Sequence, residues 1–512
     1  MTKKTFPLLL SITFLFSCST GKNSISPNPS TNVSNDFTST SYSDSKVFNK
    51  LAHNEKNNYA TLFNNYGRPT LPSIGNQKIL VVPISIKGYE NNATEKIRND
   101  LEKAFFGTSE ETAYESVSSY YKKSSYNKLN LSGKVTDWFN LDLTPEELKA
   151  KEDKIFQDNG IYFLLDEIVS WYKDTYDDIL DYDQNKDGFI DAIYLVYSAP
   201  NYSNNESIPE YFWAYTYDHE GNINKGDINS PIAMRYSWAS YDMMYQGYGF
   251  DSIDAHTYIH ETGHLLGLTD FYDTGYSNVA PMGKVDMMDD DLGDHSMYNK
   301  FALSWADPYI IDSSGEITLN SATETGDFLI FKTDNFNGTP FDEYIMMEYI
   351  TPTGLNEKDY LEGHKKSENG EIKKGYQTSG LRITYINARA VNIDNEFEDD
   401  IDKMIGVKFS NTPRGNIEGF MTNEGQHLVI STLIPRDCRF GHNGLTGSSF
   451  HATSDDLFIK GDVFDLQRNS QYRDMTPHQT NEYFKESAGF FKYIVTIEDT
   501  TELTCKLKIE TY

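Results

Sequence analysis

The 512 residues predict an α+β domain built on a twisted sheet, followed by an all-β, sandwich-like domain. Three observations carry this reading. Between residues 77 and 310, apolar β-branched runs alternate with segments whose apolar residues recur every three or four positions. After Pro308 the helical period vanishes, and short apolar stretches separated by turn residues take over. One helix-patterned segment, residues 253–266, carries two histidines four positions apart and runs into Gly267.

The chain opens Met1-Thr2-Lys3-Lys4, continues with an apolar run over residues 6–16 and reaches Ser17-Cys18. A basic flank, a short apolar core and a small residue before the cut describe an export signal. The run is too short for a permanent membrane helix. Leu15-Phe16-Ser17-Cys18 has the pattern of a bacterial lipoprotein signal. On that reading residues 1–17 are the signal peptide and Cys18 is the lipidated first residue of the mature chain. The plainer alternative is a signal peptide with an incidental cysteine. Ser19 rather than Asp follows Cys18, which favours an outer surface, the outer membrane where the cell has one.

Residues 18–46 are rich in Ser and Thr and bury too little apolar surface to fold, so they read as a flexible tether. Residues 47–76 form a lead-in segment. The first domain then spans 77–310. Strands are expected at 79–86, 129–138, 192–197 and 232–238. Helices are expected at 93–106, with Ile97, Leu101 and Phe105 on one face, and at 161–176, with Leu164, Leu165, Ile168, Val169 and Tyr172 inward. The 253–266 helix, capped by Asp251 or Ser252, is expected to cross the sheet on the side opposite the other helices. The β-rich domain spans 311–512, with strands at 316–320, 328–332, 344–349, 381–387, 428–432, 491–497 and 505–509 and no helix.

Acidic residues outnumber basic ones 76 to 45, giving a net charge of −31. That argues against nucleic acid and anionic lipid as natural partners. No later segment is apolar enough to cross a bilayer, so membrane attachment would run only through the lipid on Cys18. Cys438 and Cys505 could form a disulfide or remain two buried thiols, and spacing alone does not choose.

The chemistry concentrates in His260-Glu261-Thr262-Gly263-His264-Leu265-Leu266-Gly267-Leu268-Thr269-Asp270. On a helix, positions i and i+4 share a face, so His260 and His264 can grip one ion. Imidazole and carboxylate suit Zn²⁺, and a catalytic zinc keeps three protein ligands and one open position. Glu261, one step round the helix, can then serve as the general base. Glycine at 267 can end the helix in the left-handed region and turn Asp270 back toward the metal. Asp270 is the first choice for third ligand, with Asp273 and His295 as weaker candidates. His256 lies a turn earlier and reads as a packed or supporting histidine. The bland alternative for the whole motif is a solvated helix that happens to carry two histidines. With the metal site in place, the α+β domain reads as zincin-like: a twisted sheet plus a metal-binding helix. In zinc peptidases whose metal helix ends at glycine, a methionine turn lies under the metal. Val285-Asp286-Met287-Met288-Asp289 fits that position, with Met288 as the floor; the alternative is an ordinary core methionine. In zinc peptidases the substrate usually lies along an edge strand, for which the strand at 232–238 is the candidate.

A second cation is suggested by residues 183–191. Asp183, Asn185, Asp187 and Asp191 occupy positions 1, 3, 5 and 9 of a calcium loop, with Gly188 at 6. Tyr194 stands where the closing Glu belongs. Ca²⁺ would therefore need another carboxylate, such as Asp178 or Asp181; the alternative is a plain Asp/Gly turn before a strand.

Several segments, in order, resemble the immune inhibitor A family of secreted zinc metallopeptidases. Lys78-Ile79-Leu80-Val81-Val82-Pro83 resembles its first core strand. Ser116-Val117-Ser118-Ser119-Tyr120-Tyr121 through Ser124-Ser125-Tyr126-Asn127-Lys128-Leu129 resembles its S-V-x-x-Y-Y-x-x-x-S-Y-G-K-L block, with Asn127 for glycine. Asp187-Gly188-Phe189-Ile190-Asp191 resembles its D-G-x-x-D entry to a strand. His260 to Asp273 matches H-E-x-G-H-x-L-G-L-x-D-x-Y-D. Asp286-Met287-Met288, Lys300 and Ser304-Trp305 resemble the D-x-M…K…G-W segment, with Ser304 for glycine. Residues 342–348 and 380–383 look like its following β-rich region. The resemblance implies zinc-dependent endopeptidase activity on extended polypeptides outside the cell, with His260, His264 and Asp270 as ligands and Glu261 catalytic. A binding or adhesion lipoprotein on an inactive zincin fold is the alternative. Retention of Glu261 beside both histidines argues against it. A third reading is a zinc enzyme acting on a lipid or small amide, which a short closed pocket would favour.

Overall fold

A computed structural model describes residues 48–205, 207–245, 252–272, 281–289, 292–361, 365–366, 372–373, 375–408, 430–436, 451–469 and 491–512. Helix α1 (Tyr59–Asn65) precedes strand β1 (Gly75–Ile86), helices α2 (Glu95–Phe106) and α3 (Val117–Ser124), and strands β2 (Leu129–Val135) and β3 (Phe139–Leu141). Then come α4 (Pro145–Lys149), α5 (Ile161–Thr175), β4 (Phe189–Ile190), β5 (Ile193–Tyr197), β6 (Tyr215–Asp218), β7 (Ile232–Ala233), β8 (Arg235–Ser240), α6 (His256–Leu265) and α7 (Met297–Ala302).

The first large sheet has the order β2-β1-β5-β8-β6, with β3 also on β1. Every pairing in it is parallel except β6 on β8, which is antiparallel. Its central strand reads as a continuous apolar run because both faces are covered. Ile79 and Val81 enter one core with α2, α3 and α6, while Leu80, Val82, Ile84 and Ile86 enter a second core with α5. The helices therefore divide differently from the expectation. Helix α5 lies on one face together with Leu148 of the short α4, and α2 and α3 share the other with the histidine helix. The strand expected at 129–138 ends at Val135, and after a break over Thr136–Trp138 a second short strand, β3, follows; both run parallel to β1.

The remainder runs β9 (Tyr309–Ile311), β10 (Gly315–Asn320), α8 (Ala322–Thr325), β11 (Phe328–Lys332), β12 (Glu343–Ile350), α9 (Glu357–Leu361), β13 (Lys365–Lys366), β14 (Ile372–Lys373) and β15 (Gly380–Asn387). It ends with β16 (Ala390–Val391), β17 (Gly406–Val407), β18 (Ser431–Leu433), β19 (Val463–Asp465), β20 (Tyr493–Thr500) and β21 (Thr504–Thr511). Two sheets dominate, β18-β15-β12-β11-β9 and β10-β21-β20-β19. Leu329, Ile345 and Ile383 of the first pack in one core with Val495, Leu507 and Ile509 of the second. The helices α8 and α9, absent from the sequence reading, are single turns of four and five residues. The whole is a mixed α/β protein with several sheets. No helix among the described residues is long and apolar enough to cross a membrane.

Candidate metal centre

Helix α6 starts at His256, three residues later than the sequence reading placed it, and its N-cap is Ala255. Ser252 does not cap it, and Asp251 lies outside the described residues. Ile253 instead gives its carbonyl to the Ala113 N–H, and Asp254 Oδ1 accepts the His256 N–H at 3.0 Å.

His260 and His264 stand one turn apart on this helix, and main-chain carbonyls orient both rings. His260 Nδ1 lies 2.8 Å from Met287 O, and His264 Nδ1 lies 2.8 Å from Leu268 O. A carbonyl only accepts, so both Nδ1 atoms donate. A neutral ring then presents a lone pair at Nε2. The Nε2 atoms of His260 and His264 lie 3.0 and 3.1 Å from one oxygen, Asp270 Oδ1. Two lone pairs facing a carboxylate oxygen repel unless a proton or cation sits among them. Nitrogen and oxygen ligands about 2.0–2.1 Å from a tetrahedral ion stand ~3.3 Å apart, close to the spacing found here. The donor set therefore fits a small cation. Without one, a proton takes its place. Burial disfavours the charged His264 ring, but Asp270 beside it outweighs burial and pushes its pKa up to about 9. Burial likewise opposes the Asp270 charge, yet the two histidines hold its carboxyl well below the usual range.

Asp270 arrives through the expected turn. Gly267 has φ +99°, and the Gly267 and Leu268 N–H groups bond back to His264 O and Gly263 O, both at 2.9 Å. This left-handed cap ends the helix. A Cβ at Gly267 would also lie 2.9 Å from Phe63 and Tyr59. The Phe271 N–H then bonds Met288 O at 2.6 Å, fixing the returning segment. Tyr272, which the sequence reading left without a role, stacks its ring on His260 at 6.0 Å between centroids. Burial first, then Asp270, with which its hydroxyl shares a hydrogen bond, holds the Tyr272 phenol well above its usual pKa. The tyrosine in the H-E-x-G-H…D-x-Y-D pattern was the signal available for it.

Glu261 is buried at 4% exposure. Its Oε2 accepts from Thr216 Oγ1 at 3.0 Å. Burial raises its pKa, while His264 and His260 pull it back. Ligand atoms of His260, Glu261 and His264 lie within 4.8 Å of one another, the one such group among the described residues that could hold a metal ion. Asp270 Oδ1 sits closer to both Nε2 atoms than that limit requires, whereas Glu261 is tied to Thr216. Asp270 Oδ1 thus faces both Nε2 atoms, while Glu261 Oε2 faces Thr216.

Met288 packs under the helix: a Cβ at Gly263 would meet its sulfur at 2.4 Å. The turn is fixed by Asp286, fully buried, which accepts from Met288 N at 2.8 Å and Ser296 N at 2.6 Å. His295 does not reach the cluster. It lies beyond this turn, 3.9 Å from Asp286, among the rings of Tyr120, Tyr121 and Trp305. His256 does not join the cluster either. Asp273, Cys18 and Cys438 lie outside the described residues. Cys505 is buried as a free thiol, pushed up to about 12 by burial.

In the loop before β4 the acidic side chains are bound by local donors. Asp183 accepts from Asp187 N and Gly188 N, each at 3.0 Å, and Asp187 from Phe189 N at 2.9 Å. Asn185 Nδ2 donates to Asp187 at 2.9 Å, and Asp191 accepts from Gln184 N at 2.7 Å. Asp178 is held by Lys134 and Tyr172, and Asp181 by Lys78, so neither turns into the loop.

The edge strand also differs from the expectation. Strand β8, within the segment 232–238 and beyond, is interior, with β5 on one side and β6 on the other. The edge is β6, whose Tyr215-Thr216-Tyr217 alternation was too polar to stand out as a buried run. No protein-family model matches the chain, and a comparison with curated proteins finds no match either.

Proposed function

We propose that this chain is a zinc-dependent endopeptidase of the immune inhibitor A type, exported and tethered to the bacterial surface through lipid on Cys18. In this reading the first sheet and α6 form a zincin-like catalytic unit, and the two later sheets form a sandwich-like unit. One observation carries it: two Nε2 atoms converge on Asp270 Oδ1, with a buried carboxylate, Glu261, left beside them.

His260, His264 and Asp270 would hold the ion. A bound zinc supplies Lewis-acid polarisation of the scissile carbonyl and an attacking water at neutral pH. Glu261 takes the proton of that water on its carboxylate and hands it to the leaving amine nitrogen. Burial raises its pKa, which makes its carboxylate a stronger base for that proton. The polypeptide would lie extended along the outer edge of β6, adding a strand beside the base. Trp213 and Tyr217, 48% and 49% exposed, supply apolar surface there.

Zinc content and casein cleavage should be measured for the wild type, Glu261→Gln and Asp270→Ala. Glu261→Gln should keep its zinc and lose cleavage by 100-fold or more, roughly the scale of general-base loss. Asp270→Ala should lose both. Equal cleavage by Glu261→Gln and wild type would defeat the proposal.

A further inference from the structure

The methionine turn is gripped from two sides. On one side it meets the histidine helix, through Met287 O on His260 Nδ1 and Met288 under Gly263. On the other side it meets the second half of the chain. Pro281 O accepts from Leu433 N at 2.8 Å, Gly283 O from Ala452 N at 2.7 Å, and Val285 O from Arg382 Nη1 at 3.0 Å.

Arg382 lies mid-strand in β15, opposite Glu348 of β12 in the register. Both are buried, at 3% and 1% exposure. Arg382 Nε and Nη2 sit 3.0 and 2.9 Å from Glu348 Oε1, leaving Nη1 for Val285. Glu348 Oε2 in turn accepts the Met297 N–H at 3.2 Å, at the start of α7. A buried ion pair is a poor way to gain stability, since a packed apolar pair often does as well. It is a good way to fix geometry, because a planar guanidinium serves two acceptors in set directions.

We propose that Arg382, oriented by Glu348, is a positioning residue for the metal centre, so that the β-rich half of the chain is a working part of the catalytic site. Arg382 fixes Val285, and two residues further along the same turn Met287 presents the carbonyl that sets the His260 ring and tautomer. Loss of such an outer contact costs metal affinity by about 10–100-fold in metal sites generally. This rests on the metallopeptidase reading above.

The test uses the full chain and zinc alone as probe, read by competition with a chromophoric chelator, together with kcat and KM. Three variants are compared: Arg382→Lys, the double variant Arg382→Met with Glu348→Gln, and Tyr385→Phe. Tyr385 shares strand β15 but bonds Glu343 at 2.6 Å and not Val285, so its loss reports general damage to the sheet. Both Arg382 variants should bind zinc about tenfold or more weakly, with kcat reduced and KM within about twofold. Tyr385→Phe should match the wild type in both. Should the double variant fail to fold, Arg382→Lys, which keeps the charge, decides alone. Wild-type zinc affinity in Arg382→Lys would overturn the inference, as would an equal loss in Tyr385→Phe. A wild type that binds no zinc would instead sink the metallopeptidase reading itself.

Discussion

Thr216 Oγ1 donates to Glu261 Oε2 at 3.0 Å, joining the edge strand of the first sheet to the carboxylate beside the histidine pair. The same hydroxyl lies 2.6 Å from Ser237 Oγ on β8, so the contact is fixed from behind. That hydrogen bond favours the ionised form and lowers the Glu261 pKa, against the larger effect of burial. Removing it moves the pKa further up. Thr216→Val should therefore shift the acid limb of the kcat/KM profile to higher pH. At neutral pH it should lower activity about tenfold, the scale of one charge-assisted hydrogen bond. Zinc content should not change, and Thr216→Ser should restore the profile. An unmoved acid limb in Thr216→Val would separate this contact from the base.

Much of the site was legible because its parts are local. His260, Glu261 and His264 share one helical turn and a half, and Gly267 announces the cap that returns Asp270. The β-branched runs of β1 and β5 were legible for the same reason, as buried strands. What escaped depends on contacts between distant segments. Thr216 is an ordinary residue in a polar strand until β6 pairs with β8. Arg382 and Glu348 look like surface charges on two strands until the register places them opposite each other and the turn closes over them. The start of α6 escaped because Ile253 is committed to Ala113, 140 residues earlier, a bond no local capping rule can see.

Gly263 and Met288 make a second coupled pair. An added Cβ at Gly263 would meet the Met288 sulfur at 2.4 Å and its methyl at 3.1 Å. Alanine is otherwise favoured over glycine inside a helix by about 1 kcal/mol. Over-packing costs about 1–3 kcal/mol, so Gly263→Ala should be net destabilising by up to ~2 kcal/mol. Met288→Ala alone should cost about 2–5 kcal/mol through the cavity it leaves. The double variant should be more stable than the sum of the two losses, because each change relieves the other. Urea unfolding of all four proteins checks this, and strict additivity would show that the two do not touch.

Asp191 gives the fold a pH dependence of definite sign. Its side chain is buried at 5% exposure and accepts one hydrogen bond, from Gln184 N at 2.7 Å. Burial, with added repulsion from Asp187 and Asp183, pushes its pKa up to about 8, against the opposing pull of Gln184. The unfolded chain releases that proton near pH 4. Between those values the folded state binds the extra proton, so the Asp191 contribution is full below about pH 4 and declines as pH rises toward 8. Asp191→Asn keeps an acceptor for Gln184 and removes the charge. It should leave stability at pH 4 nearly unchanged and raise it at pH 8 by up to ~5 kcal/mol, about four pKa units at ~1.4 kcal/mol each. Urea unfolding at both pH values, in chelator so that no cation enters the loop, measures it. A variant no more stable than wild type at pH 8 would mean that Asp191 ionises there without cost.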